Sequence, residues 1–130
     1  MIFYTFPLFF AVKERLYLRV IVMSKLESKF QRELINEIKD RYPKAWVEKA
    51  DANYRQGTPD LRVFIGKFWG ALEVKRSSDS PHQPNQDIYV DRLNRMSFAR
   101  FVYPENKEEV LNEMELALQS SKRPRHPGSK

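Results

Sequence analysis

The alternation of apolar and polar positions predicts a helix at the start of the ordered chain. From Ser24 to Arg41 apolar residues recur at the spacing of one helix face. Ser24 occupies an N-cap position, and Glu27 three residues later completes a capping-box pattern. Tyr42-Pro43 then ends the helix. The apolar stripe consists of Leu26, Phe30, Leu34, Ile35 and Ile38.

In the middle of the chain, apolar and polar positions alternate with the shorter period that is typical of β-strands. Ala45 to Ala50 predicts a short strand, and a polar loop from Asp51 to Gly57 follows. A β-hairpin comes next, with Asp60 near the start of its first strand, a turn at Gly66-Lys67 and a second strand from Phe68 to Lys75. The second strand is apolar on both sides, which predicts a central position in the sheet.

The rest of the chain predicts a loop, a helix, a strand and a last helix. Ser77 to Pro84 is rich in Ser and Pro, and the helix after it runs from Asn85 to Met96 with an inner stripe of Gln86, Tyr89, Val90 and Leu93. Ser97 to Tyr103 predicts a strand, and Asn106 caps a final helix that reaches about Leu118. The order α-β-β-β-α-β-α predicts an α/β fold with a mixed central β-sheet flanked by helices.

The two ends differ in composition from the core at residues 23–118. Residues 1–22 are mostly apolar, and we expect them to be an extension upstream of a functional start at Met23. The alternative is a short membrane-interacting leader. The apolar run of residues 1–12 is shorter than the ~20 residues of a membrane-spanning helix, so no membrane partner is expected. Residues 119–130 predict a disordered basic tail.

The charge of the chain is concentrated at these ends. The net charge is +6 and the pI is about 9.6. Residues 1–22 contribute +2 and residues 119–130 contribute +4, so the sixteen bases and sixteen acids of residues 23–118 cancel. The absence of cysteine excludes disulfides and thiolate metal sites. Basic ends favour a polyanion partner only weakly, because they equally suit a solubilising tail.

The hairpin carries the residues best suited to chemistry. Glu73 and Lys75 lie two positions apart on one strand and therefore point to the same face, and the hairpin brings Asp60 near them. Two neighbouring carboxylates are costly unless a cation joins them, and carboxylate oxygens are ligands that Mg²⁺ prefers. The alternative is a solvated surface with an ordinary Glu–Lys pair.

Two helical residues are candidates to support this site. Glu27 lies on the apolar stripe of the first helix, so it either caps that helix or turns inward as a direct or water-mediated metal ligand. Gln86 lies on the inner stripe of the next helix, where its amide would orient a phosphate, a water or Lys75. An ordinary polar residue of the first helical turn is the alternative for Gln86.

Several other polar residues are candidates for contacts with nucleic acid. The residues Lys49, Asn53, Tyr54 and Arg55 precede the turn at Gly57 and are expected to line the same cleft as the carboxylates, with a solvated loop as the alternative for each. His82 and His126 have no partner at a spacing that predicts a metal ligand or a general base. The chain also contains no Gly-rich phosphate loop and no Ser/His/Asp arrangement. The candidates for nucleic-acid contact are Lys49, Asn53, Tyr54, Arg55, Arg76 and Tyr89.

Taken together, these motifs resemble the PD-(D/E)XK nuclease superfamily. They are Glu27, Gly57-Thr58-Pro59-Asp60-Leu61, Glu73-Val74-Lys75 and Gln86, and the similarity runs from about Lys25 to Met114. They are most similar to the small, single-domain branch of virus-type replication-repair nucleases, often encoded by bacteriophages. The resemblance implies a restriction-endonuclease-like core and hydrolysis of DNA phosphodiesters with Mg²⁺ or Mn²⁺.

The resemblance also implies roles for individual residues. Asp60, Glu73 and the Val74 carbonyl would bind the metal, with Glu27 as a further ligand. Lys75 would act on the attacking water, and Gln86 would support the site. The partner would be DNA, linear or branched, with no small-molecule cofactor, in the cytoplasm of the host if the protein is phage-encoded. A Holliday-junction-resolving activity would require a homodimer.

Two alternatives belong to other classes of protein. One is a catalytically silent nuclease fold that binds nucleic acid or assembles with a phage replication or packaging machine. The complete set of Asp60, Glu73 and Lys75 argues against it, since a binding module does not need that set. The other is a small structural protein, which predicts exposed and separated carboxylates.

Overall fold

The element order of the protein is α-β-β-β-α-β-α, as the sequence predicts. A computed structural model describes residues 6–51 and 53–119. The helices are α1 (Phe6–Arg41), α2 (Gln86–Met96) and α3 (Lys107–Leu118), and the strands are β1 (Trp46–Lys49), β2 (Leu61–Ile65), β3 (Phe68–Val74) and β4 (Phe98–Val102). The predicted disorder of residues 120–130 lies outside the described residues.

The start of the first helix differs from the prediction. Helix α1 begins at Phe6, so Ser24 is an interior residue and the predicted N-cap and capping box are wrong. Pro7 stands at the second helical position, where a proline costs no intrahelical hydrogen bond. No proline or glycine follows it before Arg41, so nothing in the sequence stops the helix from continuing through Met23. A capping residue acts only where the preceding chain leaves the helix.

The helical stripe of α1 is confirmed in its second half. Phe30, Leu34 and Ile38 are buried, and Ile35 packs against them at the edge of the core. Leu26, predicted to belong to the stripe, is 52% exposed. Upstream, the apolar side chains between residues 10 and 22 are mostly exposed as well, so only the second half of α1 packs firmly on the sheet.

The four strands form one mixed sheet in the order β1-β2-β3-β4. The three strands β1, β2 and β3 pair antiparallel, while β3 and β4 pair parallel across the α2 crossover. Strand β3 is thus an inner strand, as its two-sided apolar pattern predicts. The sheet is flanked by helices on both faces, which makes the fold a mixed α/β sheet of three layers.

The two faces of β3 belong to two different apolar clusters. Leu72 and Val74 pack with α1 and α3 in the larger core. Ala71 packs on the opposite face with Val90 of α2, and half-buried Trp69 lies at the edge of this smaller cluster. Because alternate residues of a strand point to opposite faces, Glu73 and Lys75 continue the face of Ala71.

The connection from β4 to α3 differs from the prediction that Asn106 simply caps the last helix. A single 3-10 turn, Pro104–Asn106, precedes α3. Asn106 stands before the helix, as predicted, but its side chain makes no cap hydrogen bond to it. Instead its Oδ1 accepts from the Tyr103 amide at 2.8 Å and its Nδ2 donates to the Phe101 carbonyl at 3.0 Å. Asn106 therefore fixes the end of β4.

Gly57 holds the loop before β2 against the start of α2. Its φ of +84° lies in the left-handed region that favours glycine, and a Cβ there would lie 2.8 Å from Asn85 Cβ. Gly66 in the hairpin turn also has a positive φ, of +59°, but a Cβ there would meet nothing within 4 Å. The two glycines therefore share a backbone requirement and differ in packing.

We predict that Gly57→Ala destabilises the protein more than Gly66→Ala does. Gly66→Ala carries only the backbone cost of the left-handed conformation, about 1 kcal/mol. Gly57→Ala adds a clash with Asn85, for a total of about 2–3 kcal/mol. Urea unfolding of both variants measures the difference. Equal losses of unfolding free energy would show that Gly57 is needed only for its backbone conformation.

Candidate active site

The predicted carboxylates and lysine come together at the carboxyl end of β3. They line a cavity of about 370 Å³, to which α1 on one face of the sheet and the start of α2 on the other both contribute. Five of the six residues predicted to form the site line this cavity: Glu27, Asp60, Glu73, Lys75 and Gln86. The sixth, Val74, is buried and is not part of the cavity lining.

The side chain of Asp60 is attached to β3 by a hydrogen bond from the backbone of that strand. The Val74 amide donates to Asp60 Oδ2 at 2.8 Å, just before β2 begins. The backbone at this point is also tied to the neighbouring strand, since the Ala50 amide donates to the Asp60 carbonyl at 2.8 Å. Burial raises the pKa of the Asp60 carboxyl, and the Val74 hydrogen bond opposes that rise.

Glu73 is the most deeply buried acid of the site, with 3% of its surface exposed. Gln86 Nε2 donates to Glu73 Oε1 at 2.7 Å. The other oxygen, Oε2, is buried and accepts a hydrogen bond from no described residue. Burial, followed by repulsion from the Asp60 carboxylate, raises the pKa of Glu73 to about 8.

Lys75 is buried beside Glu73, with its Nζ 3.8 Å from Glu73 Oε1. Its ammonium donates to Gln86 Oε1 at 2.7 Å and to the Pro81 carbonyl at 3.1 Å. An ammonium has three N–H donors, so these two bonds leave one for a further acceptor. The Lys75 amide is itself held by β4, donating to the Val102 carbonyl at 2.8 Å.

The Gln86 side chain connects the acid and the base of β3. Its Nε2 donates to Glu73, while its Oε1 accepts from Lys75 and, at 2.8 Å, from the Gln83 amide. The contact with Gln83 fixes the orientation of the Gln86 side-chain amide, because its Oε1 can accept a hydrogen bond from a backbone N–H and its Nε2 cannot. Gln86 is therefore more than an ordinary polar residue of the first helical turn.

Glu27 faces the cavity and caps no helix. Burial raises the pKa of its carboxyl, and repulsion from Asp60 raises it further. The acids of the site nevertheless stop short of a three-acid cluster: in the part of the chain that the structure describes, no three His, Cys, Asp or Glu side chains are arranged to hold a metal ion. Glu27 thus lies at the edge of the site, and Asp60 and Glu73 form its centre.

The donor set at this centre suits a hard cation. Two carboxyls at close quarters in a buried site must share either a proton or a cation, because two uncompensated charges there repel each other. Glu73 Oε2, which has no hydrogen-bond partner among residues 6–51 and 53–119, is an oxygen that can act as a ligand. Mg²⁺ is commonly held by one or two carboxylates and completes its shell with waters or substrate phosphates, so two carboxylates are enough.

The residues predicted to contact nucleic acid lie in three different places. Arg76 lines the carboxylate cavity. Tyr54 and Arg55 were expected in the same cleft but line a second cavity, of about 580 Å³, on the α2 side of the sheet. Lys49, Asn53 and Tyr89 line neither cavity, and Tyr89 packs near Gly57 instead.

Sequence reasoning missed the contribution of the loop between β3 and α2. Pro81 supplies a carbonyl to Lys75, and Gln83 supplies an amide to Gln86. Buried Ser80 closes the loop through hydrogen bonds with Ser77 and Arg76. The position of this loop in the sequence is the signal that could have revealed its contribution. A short connection between Lys75 and Gln86 has to pass close to the site that these two residues form.

Comparison with protein-family models, with curated proteins and with solved structures found no match to this chain. Helix α1 is long, yet within residues 6–51 and 53–119 no helix has a stretch apolar enough to cross a membrane.

We predict that the metal-free protein loses stability as the pH rises from about 5 to about 8. Below the pKa of an unfolded glutamate, near 4.3, Glu73 is protonated in both states. Between 4.3 and its folded pKa of about 8 the folded state holds more protons, so rising pH favours unfolding. The raised pKa values of Asp60 and Glu27 act in the same direction.

Thermal unfolding in EDTA between pH 5 and pH 8.5 tests this prediction. Glu73→Gln removes the titrating group, so the fall in Tm over this range should shrink by about 5 °C or more. Glu33→Gln is the matched control, because Glu33 lies on the surface of α1 with 64% of its side chain exposed. Parallel Tm profiles for Glu73→Gln and wild type would contradict the role of Glu73.

Proposed function

We propose that this protein is a metal-dependent endonuclease that hydrolyses phosphodiester bonds of DNA. The observation that carries the proposal is the pair of neighbouring carboxyls, half-buried Asp60 and buried Glu73, with the Lys75 ammonium 3.8 Å from Glu73 in a cavity. Buried charges of this kind are costly, and clusters of strongly raised pKa values are typical of functional sites.

Asp60 and Glu73 are the residues that would hold Mg²⁺ or Mn²⁺. Asp60 offers Oδ1, since its Oδ2 accepts from Val74, and Glu73 offers the unpartnered Oε2. The Val74 carbonyl is the proposed third protein ligand, and Glu27 is placed to act through a water. When bound, the cation would polarise the phosphodiester and lower the pKa of a water molecule.

Lys75 acts on the nucleophile, and Gln86 positions Lys75. The remaining N–H of Lys75 would donate to the attacking water or to a phosphate oxygen, and the bonds to Gln86 and Pro81 fix its direction. In the hydrolysis the water oxygen bonds to phosphorus as the bond from phosphorus to one sugar oxygen breaks. The water gives up a proton, the departing sugar oxygen gains one, and Lys75 stabilises the negative charge of the phosphate.

The likeness to PD-(D/E)XK nucleases supports this function. Asp60, the Glu73-x-Lys75 pair on an inner strand, Glu27 from the preceding helix and Gln86 from the following helix converge on one cavity. The proposal includes a restriction-endonuclease-like core of the virus-type replication-repair kind, with linear or branched DNA as substrate and a homodimer if it resolves junctions. A phage source and a host-cytoplasmic location are part of the same proposal.

The two other classes of function fit the site less well. A structural protein with a decorated hairpin requires exposed, separated carboxylates, whereas Glu73 is buried and interacts with Asp60. A silent nuclease fold that only binds nucleic acid or assembles with a phage machine has no use for an acid whose Oε2 lacks a partner. Such an acid destabilises the fold unless a ligand pairs with it.

We predict that the purified protein cuts DNA in Mg²⁺ or Mn²⁺ and that Asp60→Asn and Glu73→Gln each lower the rate at least about 100-fold. Both substitutions keep the side-chain shape and remove a metal-binding charge. The assay follows nicking of supercoiled plasmid and, separately, cleavage of a labelled four-way junction. The matched control is Glu33→Gln, which removes an exposed carboxylate from α1 and should keep wild-type activity.

The enzyme proposal fails if the wild-type protein cuts neither substrate with any divalent metal. The site assignment fails if cutting persists unchanged in Asp60→Asn and Glu73→Gln. Circular dichroism of each variant verifies that a loss of activity does not come from unfolding.

Gln86 acts on the reaction through the two residues to which it is hydrogen-bonded, Glu73 and Lys75. Gln86→Met keeps the length of the side chain but removes the bonds to Glu73 and Lys75, so kcat should fall about tenfold with KM for DNA nearly unchanged. The pH profile of kcat should also shift, because Glu73 and Lys75 lose a partner that orients both. A change in KM alone would show that Gln86 contacts DNA directly.

A further inference from the structure

The larger of the two cavities described above lies apart from the carboxylates, on the α2 side of the sheet. Its volume is about 580 Å³, and it opens between the loop before β2, strands β2 and β3, and helix α2. Neither the catalytic set nor the proposed metal uses any residue that lines it. Its lining includes Tyr54, Arg55, Pro59, Arg62, Trp69 and Leu93.

The chemistry of this lining suits a flat aromatic ligand attached to an anion. Half-buried Trp69 and Leu93 offer apolar surface for stacking, and buried Pro59 forms part of the cavity wall. Arg55 and Arg62 add two guanidinium groups, which stack on rings and bind phosphate, against the single carboxylate of Asp51 in the lining. Tyr54 lies at the rim of the cavity and is 85% exposed. An exposed aromatic ring lowers the solubility of the protein and adds nothing to the hydrophobic core.

The sheet places this cavity in line with the carboxylates. Arg62 pairs with Ala71 across β2 and β3, so both point to the α2 face. Glu73 follows Ala71 on that same face. At about 3.3 Å per residue, Glu73 lies about 7 Å along β3 from Ala71 and about 13 Å from Trp69. Stacked nucleotides of one strand are about 3.4 Å apart and unstacked ones span more, so the cavity lies at most about two to four nucleotides from a phosphate at the carboxylates.

We propose that this cavity binds an unpaired nucleobase of the DNA strand whose phosphodiester lies at the carboxylates. A base within a duplex has both faces covered by its neighbours, so only an unstacked base can place a face against Trp69. The inference rests on the proposed nuclease function and specifies it. The substrate carries a single-stranded or unstacked segment within a few nucleotides of the bond that is cut.

Trp69 fluorescence provides a readout that is independent of cleavage. The chain has two tryptophans, and Trp46→Phe leaves Trp69 as the reporter. Trp46 is 67% exposed on β1 and lines neither cavity, so its replacement leaves the proposed pocket intact. The titration uses a labelled oligothymidylate in EDTA, which prevents metal-dependent hydrolysis, and follows anisotropy of the label together with emission of Trp69.

We predict that saturating oligothymidylate quenches Trp69 and that a strand of equal length made of abasic sites binds at least about fivefold more weakly. The abasic strand keeps every phosphate, so the difference isolates the base. Trp69→Phe with Trp46 retained is the control for quenching at a distance, and its emission should stay unchanged. Equal affinity for the two strands, unchanged Trp69 emission at saturation, or no binding of either strand would overturn the inference.

Two variants outside the core test the lining without threatening the fold. Tyr54→Ala and Arg62→Ala, both at exposed positions, should weaken binding of oligothymidylate about fivefold or more. Lys39→Ala is the charge-matched control, because Lys39 is exposed on α1 at the opposite face of the sheet. Lys39→Ala should change the affinity less than about twofold.

Cleavage assays in Mg²⁺ separate this inference from the proposed function. If DNA does not quench Trp69 but the protein still cuts plasmid, the proposal of a base-binding pocket is wrong and the nuclease proposal stands. Base-dependent quenching without cutting of any DNA would support the pocket and contradict the nuclease proposal.

Discussion

The desolvation of the charges at the end of β3 is the constraint on which the site depends. Glu73 and Lys75 are buried at the carboxyl end of an inner strand, where water compensates neither charge. The Gln86 amide resolves part of this conflict by donating to Glu73 and accepting from Lys75. One oxygen of Glu73 still has no hydrogen-bond partner in the described part of the chain, so this acid is left unsatisfied until a proton or a cation binds there.

That constraint explains why elements from both faces of the sheet meet at this end. Asp60 is fixed by the Val74 amide, so β2 and β3 cannot slip against each other without breaking the bond. The loop from Pro81 to Gln83 is fixed by its bonds to Lys75 and Gln86. Gly57 presses against Asn85 and thereby sets where α2 begins. A small backbone shift at any of these points would change the distance between the two carboxyls.

Much of this arrangement is predictable because it depends on period and order. The two-sided apolar pattern of β3 predicts an inner strand, and the period of two places Glu73 and Lys75 on one face. The start of α1 was not predictable in the same way, since Ser24 and Glu27 form a capping box only if the chain before them leaves the helix. Between Pro7 and Ser24 the sequence contains no proline or glycine that would end a helix, and that signal outweighs the box.

Loops limit what the sequence reveals about the two cavities. Tyr54 and Arg55 precede Asp60 by a few residues, which suggested one shared cleft, yet the turn at Gly57 directs them to the other cavity. Pro59 and Asp60 are adjacent in sequence and line different cavities, so this short segment separates them. Since Arg62 and Trp69 share the sheet face of Glu73, a strand lying across that face would meet the aromatic cavity and the carboxylates in succession. The hairpin would then both orient the substrate and supply the groups that act on it.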